Sequence, residues 1–275
     1  MRRLLCANLK RLKKDKVYWA GNIFLYGFSA FVCMVQMRNM RQLNTHYTMD
    51  YFLFASFMAV GIVLSVVISL FVGTEYSDGT IRNKVIVGKS RSDIYLANSI
   101  TCSIVAAGSA LTVTVFTLLI GLPIFGWVEM GVSNLLLMML IYVMAVIAYA
   151  SIYSLTAMLC SNKAYASIIN VLLAFGLEFA AIYLQQRLAA QEMMTQVKVA
   201  MNGEVIYEEI RNPGYLTGVT REIYQFFMDI LPSGQAMEVA CLEVIHPVRL
   251  LLCSVVIILF FNTVGIFVFN KKDLK

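Results

Sequence analysis

A charged, turn-rich stretch in the first third of the chain comes closest to a nucleotide-binding motif. It contains Gly88-Lys89-Ser90, which resembles the end of the phosphate-binding loop of many ATPases. That loop needs another glycine five residues before Gly88, where this chain has Asn83, and it also needs a preceding β-strand. An apolar segment stands in place of the strand. The sequence therefore predicts that this chain does not bind nucleotide itself.

Other catalytic arrangements are also not evident in the sequence. We find no paired carboxylates, no nucleophile beside a base and no cluster of metal ligands, and the six cysteines are scattered without a CxxC pair. We therefore predict no catalytic residues, no metal site and no cofactor held by this chain.

Glu178 is the carboxylate that lies well inside an apolar segment. An ionisable group within a membrane is by default a candidate functional residue. Its position near the end of the segment also allows a structural role, in which it reaches interfacial water or pairs with Arg187. The sequence favours the structural role.

The elements around these residues are predicted to be membrane helices. Sixty per cent of the 275 residues are apolar and 14% are charged, against roughly 45–50% and about 25% in soluble domains. Six continuously apolar windows are long enough to cross a bilayer, at 17–37, 51–72, 100–122, 135–159, 164–184 and 248–269. A β-barrel would instead show short alternating segments. We predict an all-α membrane protein with one six-helix transmembrane domain over 17–275.

Lysines and arginines are distributed unequally between the two sides of this predicted domain. Fifteen of the 22 precede the first window, follow the sixth, or lie after the second and fourth. Because cytoplasmic loops carry an excess of Lys and Arg, we predict that both termini and the loop 74–93 are cytoplasmic. The basic surface favours membrane lipids over nucleic acid as a partner.

Residues 1–16 have leucines at helical spacing among lysines and arginines. This pattern predicts an amphipathic helix lying in the membrane interface. The alternative is a disordered basic flank that only sets the orientation.

Within the loop 74–93, Thr80 is predicted to cap a short helix that runs through Val87. Gly88 suits the left-handed position that ends such a helix. Ser90 is then predicted to cap the next helix, with Asp93 completing a capping box. The loop would thus present a compact helical projection, joined stiffly to the flanking membrane helices.

Two polar or small-residue patterns lie inside the predicted spans. Gly61, Ser65, Ser69 and Gly73 recur every four residues and predict a tight helix contact. Tyr142, Tyr149 and Tyr153 share one helix face, which favours interhelical packing, with a pathway for an amphipathic substrate as the alternative.

The connection 185–247 is too patterned to be a tether. We predict a helical extracellular segment containing two or more helices, with breaks at 212–214 and 231–234.

The loop resembles the first cytoplasmic loop of type-2 ABC exporter permeases, a group whose architecture is shared with the G-subfamily of ABC transporters. The resemblance rests on Glu75, Tyr76, Gly79, Thr80, Ile81, Arg82, Asn83, Lys84, Gly88, Lys89, Ser90, Arg91, Ile94 and Tyr95. The six spans, the N-terminal "elbow" helix and the long fifth connection fit the same group. Residues 212–215 and 231–235 also resemble bacterial members near peptide-export and antibiotic self-protection systems.

The resemblance implies a permease subunit in a bacterial plasma membrane, without an ATPase site. It would pair with a second permease subunit, identical or different, and with ABC ATPase subunits that hold ATP and Mg. An amphipathic peptide, antibiotic or lipid-like substrate would move outward. The implied coupling residues are Glu75, Tyr76, Gly79, Thr80, Ile81, Arg82, Asn83, Lys84, Val85 and Gly88. The residues predicted to line a substrate pathway are Tyr142, Tyr149, Tyr153, Ser65 and Ser69.

Two other functions stay open at this point. A secondary transporter would run on an ion gradient, but such proteins usually show broken helices or inverted repeats, and the sequence shows neither. An ATP-independent immunity or binding protein would hold a peptide through the segment 185–247. A membrane enzyme ranks last, because no catalytic residues converge.

Overall fold

The computed structural model describes residues 1–44, 48–199 and 205–273. The first half of the chain forms α1 (Arg2–Leu12), α2 (Lys16–Leu43), α3 (Asp50–Leu53), α4 (Phe57–Ser77), α5 (Thr80–Ile86) and α6 (Arg91–Phe125). The second half forms α7 (Val132–Leu159), α8 (Lys163–Leu188), β1 (Met193–Val199), β2 (Val205–Arg211), α9 (Gly218–Ile230), α10 (Pro232–Cys241) and α11 (Pro247–Lys271). Helices α2, α4, α6, α7, α8 and α11 are long and apolar enough to cross a membrane. The predicted all-α membrane protein with six spans is confirmed.

The second span is displaced from the predicted window 51–72. Residues 50–53 form the separate helix α3, and α4 begins at Phe57 and continues to Ser77. The carboxylate of Asp50, at the start of α3, accepts hydrogen bonds from the backbone N–H groups of Glu129 (2.8 Å) and Met130 (3.2 Å). These bonds hold α3 against the turn between α6 and α7.

The six long helices alternate in direction, so the bundle has two distinct ends. At the first, which we call the α5 end, Arg91 at the start of α6 donates to the carbonyl of Asn270 near the end of α11 (3.0 Å). The termini of α4, α7 and α8 meet there too. The other end carries β1, β2, α9 and the start of α11, and we call it the hairpin end.

Helix α7 lies at the centre, where it packs against α4, α6 and α11. The small residues of α4 allow close approach. Gly61 lies against the ring of Tyr149, and a Cβ added at Gly73 would come within 2.8 Å of the Lys163 Cα. The predicted tight helix contact is confirmed, because a larger residue at Gly73 would push the start of α8 away.

At the N-terminus, residues 2–12 form the helix α1 and not a disordered flank, while the predicted position of this helix in the membrane interface stays a prediction. Leu4 and Leu12 are buried against the bundle, and Lys10 is exposed. The carboxylate of Asp15 then caps α2 by accepting from the N–H groups of Val17 (2.8 Å) and Tyr18 (3.2 Å).

The long fifth connection, predicted to hold two or more helices, contains α9 and α10 with a break at Leu231-Pro232, and its extracellular position stays a prediction. It also contains strands that the sequence analysis did not predict. β1 and β2 form an antiparallel pair in which Met193 lies opposite Arg211. The alternation of β-branched and polar residues in 193–199 is the signal that could have revealed them.

Candidate coupling site at the α5 end

The short helix α5 is bounded on both sides by glycines with left-handed backbone conformations. Gly79 has φ +66° and Gly88 has φ +82°. Gly79 is the residue preceding the helix, and Thr80 is its first residue with no side-chain capping bond, so the predicted Thr80 cap is wrong. The predicted left-handed Gly88 is confirmed. So is the Ser90 cap of α6, whose hydroxyl accepts from the N–H of Asp93 (3.1 Å).

Glu75 lies in the last turns of α4 and not in a free loop. Its side chain is only 1% exposed, and three donors surround its carboxylate. Oε1 accepts from Arg11 of α1 (2.7 Å) and from Lys84 of α5 (2.6 Å). Oε2 accepts from the Asn98 amide of α6 (2.8 Å). A single carboxylate therefore joins four elements of the chain.

Two of the donors to Glu75, Arg11 and Asn98, are held in place by further contacts. The Asn8 amide donates to Asn98 Oδ1 (2.6 Å), and Arg11 donates to the carbonyl of Phe71 (2.8 Å) while its guanidinium lies 3.9 Å from the Phe71 ring centroid. We call Asn8, Arg11, Glu75, Lys84 and Asn98 the Glu75 cluster. Removing one partner of such a buried charge pair costs about 3–5 kcal/mol, because the remaining charge is left unpaired.

A second set of contacts fixes the C-terminal end of α11 to the same region. Lys272 donates to the Tyr76 hydroxyl and to the carbonyl of Met158, both at 3.2 Å. The Tyr76 hydroxyl also donates to the Met158 carbonyl. Burial lowers the pKa of the Lys272 ammonium. Tyr76, predicted as a coupling residue, thus connects α4 to α7 and α11.

The outer face of α5 is apolar at its tip. Ile86 is 71% exposed and Val87 is 76% exposed, with Arg82 and Asn83 exposed on the preceding turn. Ile81 is buried, and Lys84 and Val85 are half-buried. The predicted coupling residues therefore divide into an internal set and an exposed set. Ile86 and Val87 were not predicted as coupling residues, because they lie off the face shared by Ile81 and Val85.

The predicted pathway residues lie inside the bundle. Tyr142, Tyr149, Tyr153, Ser65 and Ser69 are all buried. Ser69 accepts from the Asn170 amide (2.7 Å), which also donates to the carbonyl of Tyr153 (3.1 Å). The Asn170 side chain of α8 thus connects this helix to Ser69 of α4 and to the backbone of α7. Contact with a substrate stays a prediction.

The Tyr149 hydroxyl donates to Oε1 of Glu178 (3.1 Å), and the Tyr149 ring stacks on Tyr153 with centroids 5.5 Å apart. The structure thus gives Glu178 a tyrosine partner, where the sequence analysis suggested interfacial water or Arg187.

A polar cluster at the hairpin end was not predicted. Asp229 of α9 pairs with Arg249 of α11 and accepts from the Gln225 amide (2.8 Å), which also donates to Glu238 of α10 (2.7 Å). Burial, together with the neighbouring Asp229, raises the pKa of the Glu238 carboxyl. The cluster joins α9, α10 and α11.

Together these features define a multi-pass membrane protein whose short helix α5 lies at one end and is bonded to α4 through Lys84 and Glu75. A family model described as "ABC-2 family transporter protein" matches residues 4–180, and the chain belongs to this family. It is thus a membrane component of an ABC-2 type transporter, and membership implies association with ABC ATPase partners. Comparison with curated proteins finds no match. The matched region includes every residue of the Glu75 cluster.

Proposed function

We propose that this chain is the permease subunit of an ATP-driven exporter and that separate ATPase subunits dock on the tip of α5. The observation that carries the proposal is the contrast within α5. Its tip exposes Ile86 and Val87, while its base is held by Glu75 through Lys84. An exposed apolar surface on a rigid base is suited to receiving force from a partner.

The Glu75 cluster supports this mechanism because it joins α5 to the membrane helices. A push on α5 would act on α4 through Lys84 and Glu75, and on α6 through Asn98. Because packed helices move as bodies and not by continuous deformation, the displaced α5 would carry the ends of α4 and α6 with it. Arg11 would carry α1 along.

The remaining parts of the proposal follow from charge and from the family. The excess of lysine and arginine at the α5 end supports a cytoplasmic position for it and for both termini. A second permease subunit would complete the translocation path. ATP and Mg would be bound by the ATPase subunits. The substrate would be amphipathic and would move outward across a bacterial plasma membrane.

The test is coexpression of the chain with its ATPase, followed by purification in mild detergent. The double variant Ile86→Glu/Val87→Glu should lose the copurifying ATPase and the permease-dependent ATP hydrolysis. Its fold should be retained, because both side chains are exposed. Val197→Glu is the matched control, since Val197 is 56% exposed on β1 at the opposite end.

Two results would contradict the proposal. One is normal assembly and ATP hydrolysis in the double variant. The other is full transport by the purified chain in proteoliposomes that contain no ATPase.

A further inference from the structure

A groove opens on the side of the bundle between α2, α4 and α8. It has a volume of about 450 Å³. Among the described residues that line it, Glu178 is the one polar side chain, and the apolar ones include Phe24, Ala59, Phe175 and Phe179. The groove is thus an apolar site with a single carboxyl group in its wall.

The carboxyl group of Glu178 is incompletely bonded. Its side chain is 5% exposed, Oε1 accepts from Tyr149, and Oε2 has no partner among the described residues. Burying a carboxyl oxygen without a donor is costly, and such groups normally acquire a hydrogen bond or an opposite charge. The position therefore favours a ligand that supplies a donor or a positive charge.

Aromatic rings line the same groove as this carboxyl group. Phe24 and Phe179 are largely exposed at the groove, and Phe175 and Phe179 stack with centroids 6.4 Å apart. The faces of aromatic rings attract cations, most strongly where water is excluded. The rings and the carboxylate thus both favour a ligand with a positive charge. A neutral acyl chain would contact only the apolar lining.

We propose that this groove binds an apolar molecule carrying one positive charge, with Glu178 as the counter-ion and the phenylalanine rings as the walls. The proposal rests on the proposed function, because it names the substrate class that the exporter would carry. An anion of the same shape would be repelled by Glu178. A second copy of the chain or a lipid tail would fill the groove without regard to charge.

The test uses two ions of the same shape and opposite charge. Tetraphenylphosphonium and tetraphenylborate are titrated against the full chain purified in detergent, and binding is followed by equilibrium dialysis. The wild type should bind the cation at least about tenfold more tightly than Glu178→Gln does. The anion should show no such loss in the variant. Equal binding of the cation by both proteins, or no binding by the wild type, would overturn the proposal.

A second variant tests the location. Ala59→Trp adds apolar volume to the lining of the groove and leaves Glu178 in place, so it should also abolish binding of the cation. Unchanged binding would place the cation elsewhere and overturn the proposal. Thermal unfolding of both variants shows whether the fold is retained.

The experiment separates the two proposals. Ile86→Glu/Val87→Glu lies at the α5 end and should bind tetraphenylphosphonium as the wild type does. If the cation fails to bind while the ATPase still couples, only the groove proposal is lost. If the ATPase fails to couple while Glu178-dependent binding remains, the exporter proposal is lost.

Discussion

Glu75 and Glu178 are both buried glutamates of the helical bundle, and they differ in what surrounds them. Glu75 accepts from two cationic side chains and one amide. Glu178 accepts from one tyrosine hydroxyl, and its second oxygen has no partner among the described residues. A carboxylate with all its donors in place holds elements together, whereas one with a free oxygen can still bind something else. Glu75 therefore has a structural role at the α5 end, whereas Glu178 is suited to binding a ligand in the groove.

The largest loss of stability is expected when Glu75 is substituted. Glu75→Gln leaves Arg11 and Lys84 without their shared anion and should lower the free energy of unfolding by about 3–5 kcal/mol. The measurement is an SDS titration of the purified chain in detergent. The control is Glu192→Gln, since Glu192 is exposed and lies 3.7 Å from Arg211, and it should change stability by less than about 1 kcal/mol. Similar losses in the two variants would refute the role of the Glu75 cluster.

Glu238 is the third buried glutamate among the described residues, and it should make stability depend on pH. Its raised pKa means that the folded chain holds a proton that the unfolded chain has released. Its contribution to stability is therefore present at low pH and is lost as the pH rises from the ordinary glutamate range through the higher folded-state pKa. The free energy of unfolding can fall by up to about 1.4 kcal/mol for each unit by which the pH rises in this range.

The measurement for Glu238 is the free energy of unfolding between pH 5 and pH 9. Glu238→Gln should remove this part of the slope, while Asp229, Arg249 and Gln225 remain in place. An identical pH profile in the wild type and the variant would show that Glu238 is not the group responsible.

A smaller loss of stability is expected when Tyr149, the one hydrogen-bond donor to Glu178 among the described residues, is substituted. Tyr149→Phe removes the hydroxyl hydrogen bond and should lower stability by about 1 kcal/mol. Tyr142→Phe is the matched control, because the Tyr142 hydroxyl is buried without a partner among the described residues. Its removal should be neutral or slightly stabilising. Equal losses in the two variants would argue against the hydrogen bond to Glu178.

The smallest effect on stability is expected for Glu178→Gln, at less than about 1 kcal/mol. Glutamine keeps an oxygen that can accept from Tyr149, and the structure shows no cation that would be left unpaired in the described part of the chain. The contrast with Glu75→Gln, measured by the same SDS titration, is the sharpest test of the comparison. Equal losses at the two glutamates would remove the distinction.

The long helices could be predicted from the sequence because each is a continuous apolar run that has to satisfy its own backbone in a membrane. The C-terminal end of α5 and the start of α6 were also predictable, since Gly88 and Ser90 act on neighbouring residues. The Thr80 cap failed because Gly79 takes the turn that precedes the helix. These successes and this failure all concern local backbone chemistry.

The Glu75 cluster could not be predicted in the same way. Its ion pair with Arg11 spans 64 residues and its bond to Asn98 spans 23. Such partners are chosen by helix packing and not by spacing in the sequence. Glu178 was recognised as an unusual residue, but its groove depends on side chains from α2 and α4 as well as α8.

Because the chain is synthesised from its N-terminus, the contacts at the α5 end form at different times. Every member of the Glu75 cluster has been made once Asn98 is complete, so this junction can close while later helices are still on the ribosome. The contact of Lys272 with Tyr76 spans 196 residues and must wait for the last turn of α11. The nascent protein would therefore close this end of the bundle in two steps, first when Asn98 has been made and again when α11 has been made through Lys272.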